Sequence, residues 1–200
     1  MQTDIRTYSN NEPLVRERRR QIMEQALKLF LAKGYKGTTT REIARVCGIS
    51  EGALYRYIGS KGDILHLICV SRAHGAKILE DFIRQLGDVS PTEALKACLR
   101  RCFLWAENSR DYNLFFTREI RYFSPEDRRI LLDDQVAIVH FFERLLIEGI
   151  NCGEFEMENP LLVAHDILMK VHDWGLRRWF LRQHFTLEEY ARMHIDLILK

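Results

Sequence analysis

The 200-residue sequence predicts an all-α fold of about nine helices, and two observations carry this prediction. The first is a recurring helix-start signal, in which a Ser or Thr is followed three residues later by an acid, so that both side chains can cap a new helix. This signal begins at Thr39, Ser60, Ser90, Ser124 and Thr186. The second is that apolar residues fall at helical spacing between the signals, without a hairpin signal or an alternating strand pattern.

Charge is distributed unevenly along the chain. The net charge is only +2, but residues 1–62 contain 12 Lys and Arg against 6 Asp and Glu, whereas residues 63–200 contain 18 against 22. A basic first third favours a polyanionic partner such as a nucleic acid. A chance imbalance of surface charge is an equal alternative on this observation alone.

The five cysteines predict reduced thiols. Their number is odd and they form no Cys-x-x-Cys pair, which is untypical of a disulfide framework. The polar N-terminus has no secretory signal pattern, and no segment approaches about 20 uninterrupted apolar residues. We therefore expect a cytoplasmic protein without a membrane partner.

The first helix is predicted between Pro13 and Lys33. Residues 1–12 are polar and are expected to form a flexible arm. Proline suits the first turn of a helix, and Gly34 can end this one. The basic run Arg16–Arg20 is interpreted mainly as a solvated face, with phosphate contacts as the alternative.

The stretch from Thr38 to Leu65 predicts two very short helices, a tight turn and the start of a longer helix. Thr39 can cap the first helix together with Glu42, Gly48 can end it, and Ser50 can cap the second. The second helix has little to bury and leaves Gly, Arg and Tyr side chains outside. This spacing is typical of a helix-turn-helix, whose second helix enters the DNA major groove.

The remaining residues predict longer helices. From Lys61 the apolar spacing predicts one continuous helix to near Gly87, a length of about 40 Å at 1.5 Å per residue. Later start signals predict helices from Ser90 to about Asn108, from Ser124 to near Gly153, from Pro160 to Gln183 and from Thr186 to Leu199. A shorter helix is predicted after Asn108, with Asp111 as its cap. We therefore expect a three-helix DNA-binding domain at residues 13–62 and a larger helical domain at residues 63–200.

The helix-turn-helix contains the pattern Thr39-Thr40-x-x-Ile43-Ala44-x-x-Cys47-Gly48-Ile49-Ser50-x-Gly52-x-Leu54-Tyr55-x-Tyr57-Ile58-x-x-Lys61-x-x-Ile64-Leu65. This pattern resembles the DNA-binding signature of the TetR-family transcriptional regulators. The preceding Ile22-x-x-Gln25-Ala26-x-x-Leu29-Phe30-x-x-Lys33-Gly34-Tyr35 is similar to the first helix of that family. Cys47, Ile58 and Gly59 depart from the usual residues and are interpreted as packing changes.

This resemblance implies a homodimeric repressor on a palindromic operator in double-stranded DNA. A small-molecule effector in residues 63–200 would shift the two DNA-binding heads out of register with successive major grooves. The stretch from Phe115 to Glu126 is loosely similar to family members that sense acyl-coenzyme A or fatty acids. The resemblance thus implies a ligand-binding and dimerisation role for residues 63–200.

The predicted DNA-binding residues are Thr39, Thr40, Arg41, Ser50, Glu51, Gly52, Ala53, Tyr55, Arg56, Tyr57 and Lys61. By resemblance, the phosphate contacts map onto Thr39, Thr40, Tyr55, Tyr57 and Lys61. By the same resemblance, the positions that can reach base edges are Arg41, Ala53 and Arg56, since Arg can bind guanine bidentately and an Ala methyl can touch thymine. For Glu51, acceptance from cytosine N4, repulsion of wrong registers and pairing with a nearby Arg remain open.

Aromatic residues concentrate in the second half of the chain and indicate an apolar pocket between helices. The predicted lining residues are Trp105, Phe116, Glu119, Phe141, Trp174 and Arg178. Simple core packing of the rings is the alternative. By resemblance, the last two helices would pair with their copies, with Leu161, Ile167, Val171 and Ile195 as the dimer-interface residues.

Three other functional classes are alternatives to a ligand-responsive repressor. Cys98 and Cys102 share a helix face, and His165 and His172 lie two turns apart, so a metal or redox sensor is one alternative. A constitutive regulator or an activator without a ligand is the second. A helical enzyme is the third, but no catalytic constellation stands out, and we predict no catalytic residue and no cofactor.

Overall fold

The computed structural model describes residues 12–199, and of Arg110 only the backbone. Within that range the chain is all-α and contains no strand, as predicted. The helices are α1 (Glu12–Gly37), α2 (Thr40–Val46), α3 (Glu51–Leu54), α4 (Lys61–Arg72), α5 (Gly75–Leu86), α6 (Pro91–Asn108), α7 (Arg110–Glu119), α8 (Pro125–Asn151), α9 (Pro160–Leu176), α10 (Arg178–Leu181) and α11 (Leu187–Ile198), with a 3-10 turn at Ile120–Tyr122 after α7. Of the arm predicted at residues 1–12, residues 1–11 lie outside the described range, and Glu12 already belongs to α1.

The chain divides into two compact units. Unit 1 comprises the described residues up to Ala73 together with Phe115–Leu131, and unit 2 comprises His74–Leu114 and the chain from Leu132 onward. The sequence predicted a boundary between residues 62 and 63. By packing, α4 belongs to unit 1, because it lies on α1 and buries four apolar residues, Ile64, Leu65, Ile68 and Cys69.

All five predicted helix-start signals cap a helix in the structure. The hydroxyl of each Ser or Thr accepts a hydrogen bond from the backbone N–H three residues later, at Glu42, Asp63, Glu93, Asp127 and Glu189. At Thr39 and Thr186 the acid also accepts from the cap backbone, which completes the capping box. These starts are local in sequence, which is why they could be predicted.

The long helix predicted from Lys61 to Gly87 is wrong, because it is broken between α4 and α5. Ala73 has φ −80° and ψ 55°, and His74 has φ −141° and ψ 18°, so neither residue is helical. The N–H of Gly75 instead donates to a carboxylate oxygen of Asp134 on α8 at 2.9 Å. A Cβ at Gly75 would lie 2.6 Å from Cδ1 of Ile138, so this glycine permits close packing of α5 on α8.

Two smaller expectations also differ. The predicted helix from Pro160 to Gln183 ends at Leu176, and the short α10 follows after Arg177. Asp111 lies within the first turn of α7 and does not precede that helix as a cap. In both cases side-chain spacing alone could not fix the helix end.

Unit 2 has two apolar clusters. The larger lies among α5, α6, α8, α9 and α11 and includes Leu95, Leu99, Phe142 and Leu146, each at most 1% exposed. The smaller joins α6, α9 and α11 and is built around Phe103 and Trp174.

The segment Phe115–Leu131 packs on the first helices of the chain within unit 1. The rings of Phe30 and Phe115 stack with centroids 5.7 Å apart, and those of Tyr35 and Tyr122 lie 5.4 Å apart. Nδ1 of His66 on α4 lies 2.7 Å from Oδ1 of Asp127. A part of the chain predicted to lie in the larger helical domain is thus packed on α1 and α4 of unit 1.

Candidate nucleic-acid interface

The helix-turn-helix rests on a tight apolar core. Ile22 and Phe30 of α1, Ile43 of α2, and Leu54 and Ile58 around α3 are each at most 1% exposed. The turn between α2 and α3 passes through Gly48, whose φ of 67° suits a residue without a Cβ. Helix α3 has only four residues and continues as a turn through Tyr55–Tyr57. The core therefore fixes where the outer side chains of this short helix point.

The start of α2 is held by an acid with several partners. Oε2 of Glu42 accepts from the Thr39 backbone N–H at 2.9 Å, and Oε1 lies 2.5 Å from Nζ of Lys33. The hydrogen bond from Lys33, followed by those from Thr39, lowers the pKa of Glu42 to about 2. This carboxylate therefore stays ionised in the folded state well below its ordinary pKa of 4.5.

Because the pKa of Glu42 is depressed, its contribution to stability is present above about pH 4.5 and is lost as the pH falls toward 2. Glu42→Gln is therefore expected to lower the unfolding midpoint at pH 7 and to match the wild type near pH 2. Thermal unfolding across that range measures the difference between the two proteins. A difference that stays constant from pH 7 to pH 2 would contradict this role, and Lys33→Met should reduce the pH dependence, since it removes the first cause of the shift.

The predicted DNA-binding residues of α2, α3 and the following turn differ in exposure. Thr39, Arg41, Ser50, Gly52, Tyr55 and Arg56 are exposed, whereas Thr40, Glu51, Ala53 and Tyr57 are half-buried. The side chain of Arg41 is 88% exposed. Ser50 accepts from the Ala53 N–H at 3.1 Å and caps α3, so this hydroxyl oxygen already has a structural use.

Three of these side chains form a hydrogen-bonded chain between α2 and α3, and a fourth forms an ion pair with it. Oγ1 of Thr40 donates to Oε1 of Glu51 at 2.6 Å, and the Tyr55 hydroxyl donates to Oγ1 of Thr40 at 3.3 Å. Nε of Arg41 lies 3.8 Å from Oε2 of Glu51. Of the roles left open for Glu51, the structure realises pairing with a nearby Arg.

Lys61 is engaged inside unit 1. Its ammonium donates to the backbone carbonyls of Tyr35 at 2.8 Å and Thr38 at 2.7 Å, and it lies 4.2 Å from the centroid of the Tyr35 ring. Burial lowers its pKa. Arg19, expected on a solvated face, donates from Nε to the carbonyl of Tyr57 at 2.9 Å. Lys61 thus ties α4 to the end of α1 and to the loop before α2, and Arg19 ties α1 to the turn after α3. The phosphate role of Lys61 stays a prediction.

The six residues predicted to line a pocket lie in different surroundings. Phe116 and Glu119 belong to unit 1. In unit 2, Phe141 belongs to the larger apolar cluster and Trp174 to the smaller one, whereas Trp105 is 42% exposed. Arg178 is half-buried and lies 3.1 Å from a carboxylate oxygen of Glu107.

A cavity of about 420 Å³ lies in unit 2 among α6, α9, α11 and the loop after α8. Its lining is mainly apolar, with four ionisable side chains, and none of the six predicted residues belongs to it. The lining residues are Leu99, Phe103, Glu156, Met157, Val163, Asp166, Ile167, Lys170, His194, Leu197 and Ile198. No sequence pattern signalled this site directly, because it depends on how three helices pack.

The predicted dimer-interface residues need a correction. Ile167, Val171 and Ile195 are only 2–4% exposed, so they are covered by their own chain, whereas Leu161 is 45% exposed. The exposed apolar side chains on α9 and α11 are Leu161, Leu162, Met169, Leu176, Met193 and Leu197. Helix α9 is apolar on more than one face, and packing decided which face is buried.

The cysteines and histidines weighed for metal or redox sensing do not converge. Burial raises the pKa of the Cys98 and Cys102 thiols to about 12. Within residues 12–199, no group of three or more His, Cys, Asp and Glu side chains is placed to hold a metal ion. In the same range no helix is long and apolar enough to cross a membrane.

The buried core, the capped helices and the exposed polar face form a helix-turn-helix, the arrangement that places a helix in the DNA major groove. Residues 22–68 match the model of the bacterial regulatory proteins of the tetR family, and residues 88–200 match the tetracyclin repressor-like C-terminal domain. The chain therefore belongs to the TetR family of transcriptional regulators, as the sequence resemblance predicted.

Similar proteins extend over almost the whole chain. The HTH-type transcriptional regulator HbdR of Aromatoleum sp. (strain CIB) is 29% identical over 98% of this chain and 85% of its own. The crystal structure of AibR with isovaleryl coenzyme A and operator DNA has a TM-score of 0.71 at 25% identity, covering 91% of this chain and 98% of that one. PfmR from Thermus thermophilus, a TetR family regulator, has a TM-score of 0.73 at 28% identity, covering 89% and 96%.

Proposed function

We propose that this regulator is a homodimeric repressor, acting in the cytoplasm, that binds a palindromic operator and leaves it when a small, largely apolar ligand binds. The observation that carries the DNA part is the polar face of α2 and α3 on a fully buried apolar core. A face of this kind can be held rigidly against a major groove. Ligand control is supported by the similarity to AibR, whose structure contains isovaleryl coenzyme A and operator DNA.

On the proposed face, hydroxyl groups and one ammonium position the protein on phosphates. These groups belong to Thr39, Thr40, Tyr55, Tyr57 and Lys61. Base edges would be read by Arg41, Ala53 and Arg56, because Arg can bind the O6 and N7 atoms of guanine together and an Ala methyl can contact thymine. Gly52, with open space where a Cβ would lie, allows a close approach of the backbone.

The proposed dimer surface is the exposed apolar side of α9 and α11. Leu162, Met169 and Leu176 are seven residues apart and therefore lie along one side of α9. Met193 and Leu197 are one helical turn apart on α11. All five are at least 37% exposed in the single chain. An apolar surface of this kind indicates a protein partner, and a second copy satisfies the symmetry of a palindrome.

The cavity of unit 2 is the proposed ligand site. Its volume lies within the range of about 300–1,000 Å³ that is usual for small-molecule pockets, toward the lower end. The apolar side chains of Leu99, Phe103 and Ile167 suit an acyl chain, and Lys170 can meet an anionic group attached to it. Glu156 and Asp166 also line the cavity and would disfavour a ligand with several negative charges near them.

The proposal is tested by selecting duplexes from a randomised pool with the full-length protein. We expect a palindrome to be enriched and to bind a dimer, measured by sedimentation of the protein–duplex complex. Isovaleryl coenzyme A and longer acyl-coenzyme A esters are then titrated against that complex by fluorescence anisotropy, and release supports the repressor. Retention of the duplex with every ester instead favours a constitutive regulator, and failure to enrich any sequence overturns the DNA-reading face.

Arg56→Ala is expected to relax selection at particular positions of the enriched duplex. Loss of a bidentate contact to guanine lowers discrimination at that base pair by about 1–3 kcal/mol, or about 5-fold to 150-fold. The measurement is anisotropy with duplexes carrying single base-pair changes. An equal loss of affinity for all of them would assign Arg56 to the phosphates.

A further inference from the structure

The face proposed to meet DNA contains one carboxylate, on Glu51, which lies at the first residue of α3. A carboxylate in that position is unexpected, since DNA presents a dense array of phosphate charges. Its side chain is 38% exposed, so it is accessible but not fully solvated. Glu51 is therefore an acid among residues that are expected to bind an anion.

The surroundings of Glu51 are those of a bound anion. Thr40 donates its hydroxyl proton to Oε1 at 2.6 Å, and Nε of Arg41 lies 3.8 Å from Oε2. Behind Thr40, the Tyr55 hydroxyl donates to Oγ1 at 3.3 Å. The Thr40 hydroxyl and the Arg41 guanidinium, which could both meet DNA, are therefore directed toward a carboxylate of the protein, and the Tyr55 hydroxyl is directed toward Thr40.

Each of these hydroxyl groups can donate to only one acceptor at a time. A Thr or Tyr hydroxyl has one hydrogen to donate. Thr40 cannot donate to a phosphate while it donates to Glu51, and Tyr55 cannot do so while it donates to Thr40. Because a phosphate oxygen only accepts, DNA binding through the Thr40 hydroxyl requires that the Thr40–Glu51 hydrogen bond break, and binding through the Tyr55 hydroxyl requires that the Tyr55–Thr40 hydrogen bond break.

We propose that the Glu51 carboxylate is an internal substitute for a DNA phosphate, and that its displacement sets how strongly the protein discriminates its operator from other DNA. The exchange is required on every duplex and lowers affinity for all of them. On the operator, the displaced carboxylate gains a new donor, such as the N4 amino group of a cytosine. On other sequences it remains close to phosphates and base acceptors, so the penalty is not recovered. This inference rests on the proposed DNA face and adds a specificity-determining role for Glu51.

The decisive variant is Glu51→Gln, which removes the charge and keeps the length of the side chain. We expect its affinity for poly(dI–dC) to rise about fivefold to tenfold, because the charge-assisted hydrogen bond from Thr40 and the ion pair with Arg41 no longer compete with phosphate. For the duplex enriched by the wild type we expect a smaller rise or a loss, so that the ratio of the two affinities falls. The salt slope on poly(dI–dC) should steepen by about 0.9, since Arg41 is no longer neutralised internally.

The matched control is Glu80→Gln on α5 in unit 2. Glu80 also pairs with an arginine, Arg144, at 2.8 Å, and the substitution changes the net charge of the protein by the same amount. We expect no change in the affinity ratio or in the salt slope, and similar thermal unfolding for both variants. If Glu51→Gln and Glu80→Gln have equal effects on both duplexes, the inference is overturned.

A double-mutant cycle isolates the hydroxyl competition. Thr40→Val removes the hydroxyl with little change of shape, and Glu51→Ala removes the competing acceptor. In the wild type, Thr40→Val should change the affinity for poly(dI–dC) by less than about twofold, because it removes one hydrogen bond from the free protein and one from the bound protein. In Glu51→Ala, the same substitution should change this affinity by about fivefold, because only the hydrogen bond to phosphate is lost. Equal effects in the two backgrounds overturn the competition. Failure of the wild type to enrich any duplex would instead defeat the proposed function, so the two failures are distinguishable.

Discussion

Replacing Trp174 with Ala is expected to lower the free energy of unfolding by about 3–5 kcal/mol. Trp174 is 1% exposed and lies in the cluster that joins α6, α9 and α11, with its ring 5.1 Å from that of Tyr190. Its indole N–H donates to a carboxylate oxygen of Glu107 at 2.8 Å. The substitution therefore leaves a large cavity and removes one of the donors of Glu107. Urea denaturation followed by circular dichroism measures the loss.

Trp179→Ala is the matched control for this prediction. Its side chain is 74% exposed, so truncation should change the unfolding free energy of the single chain by no more than about 0.5 kcal/mol. The comparison holds the residue type constant and varies only burial. Equal losses for the two tryptophans would show that the smaller apolar cluster does not stabilise unit 2 in the way described.

The same site separates packing from ligand binding. Trp174→Phe keeps most of the buried volume but removes the hydrogen bond to Glu107, which also pairs with Arg178 and Arg182. If Trp174 only packs, this variant should lose stability and retain its affinity for an acyl-coenzyme A ester. If it lines the ligand pocket, as the sequence suggested, affinity should change by more than stability does. Isothermal titration alongside urea denaturation distinguishes the two roles.

Helix starts and the DNA-binding region could be predicted because their signals are local. Each capping signal lies within four residues, and the spacing of the helix-turn-helix is contained in one short stretch. The break before α5 could not be predicted, since it depends on Asp134 and Ile138, about 60 residues further along the chain. The same limit applies to Lys61, whose acceptors are backbone carbonyls and therefore leave no trace in residue type.

The proposed dimer surface shows a different limit of prediction from sequence. The sequence of α9 places apolar residues on several sides, so the pattern does not decide between Ile167 and Met169. The structure buries Ile167 at 2% exposure and leaves Met169 at 37%. Only the packing of α6 against α9, within the cluster that also contains Ile195 of α11, makes that choice, and those contacts are long-range in sequence.

Replacing Asp127 with Ala is expected to lower the free energy of unfolding by about 2–4 kcal/mol. Asp127 is 4% exposed, and one of its oxygens accepts from the Ser124 hydroxyl at 2.8 Å while the other lies 2.7 Å from Nδ1 of His66. Alanine would therefore weaken the start of α8 and leave the His66 ring without its carboxylate partner. Two single variants divide the effect, because Ser124→Ala removes only the capping hydroxyl and His66→Ala only the contact with α4. Urea denaturation of all three variants measures these losses.

The His66 variant also tests the proposed control of the DNA-binding helices by a ligand. Helix α7 ends and helix α8 begins within the segment Phe115–Leu131, and the remaining residues of both helices belong to unit 2. The proposed ligand cavity is also in unit 2. This segment contacts α1 and α4 within unit 1 through rings and through His66–Asp127. If ligand binding moves the segment, these contacts are expected to move α1 and α4 with it. His66→Ala should then retain most of the operator affinity of the wild type but show a smaller loss of affinity when an acyl-coenzyme A ester is added. If the loss of operator affinity on adding the ester is unchanged in His66→Ala, the ligand acts on the DNA-binding helices through the aromatic contacts or through the chain between α4 and α5. The control is Ser124→Ala, which keeps the His66–Asp127 contact and should respond to the ligand as the wild type does.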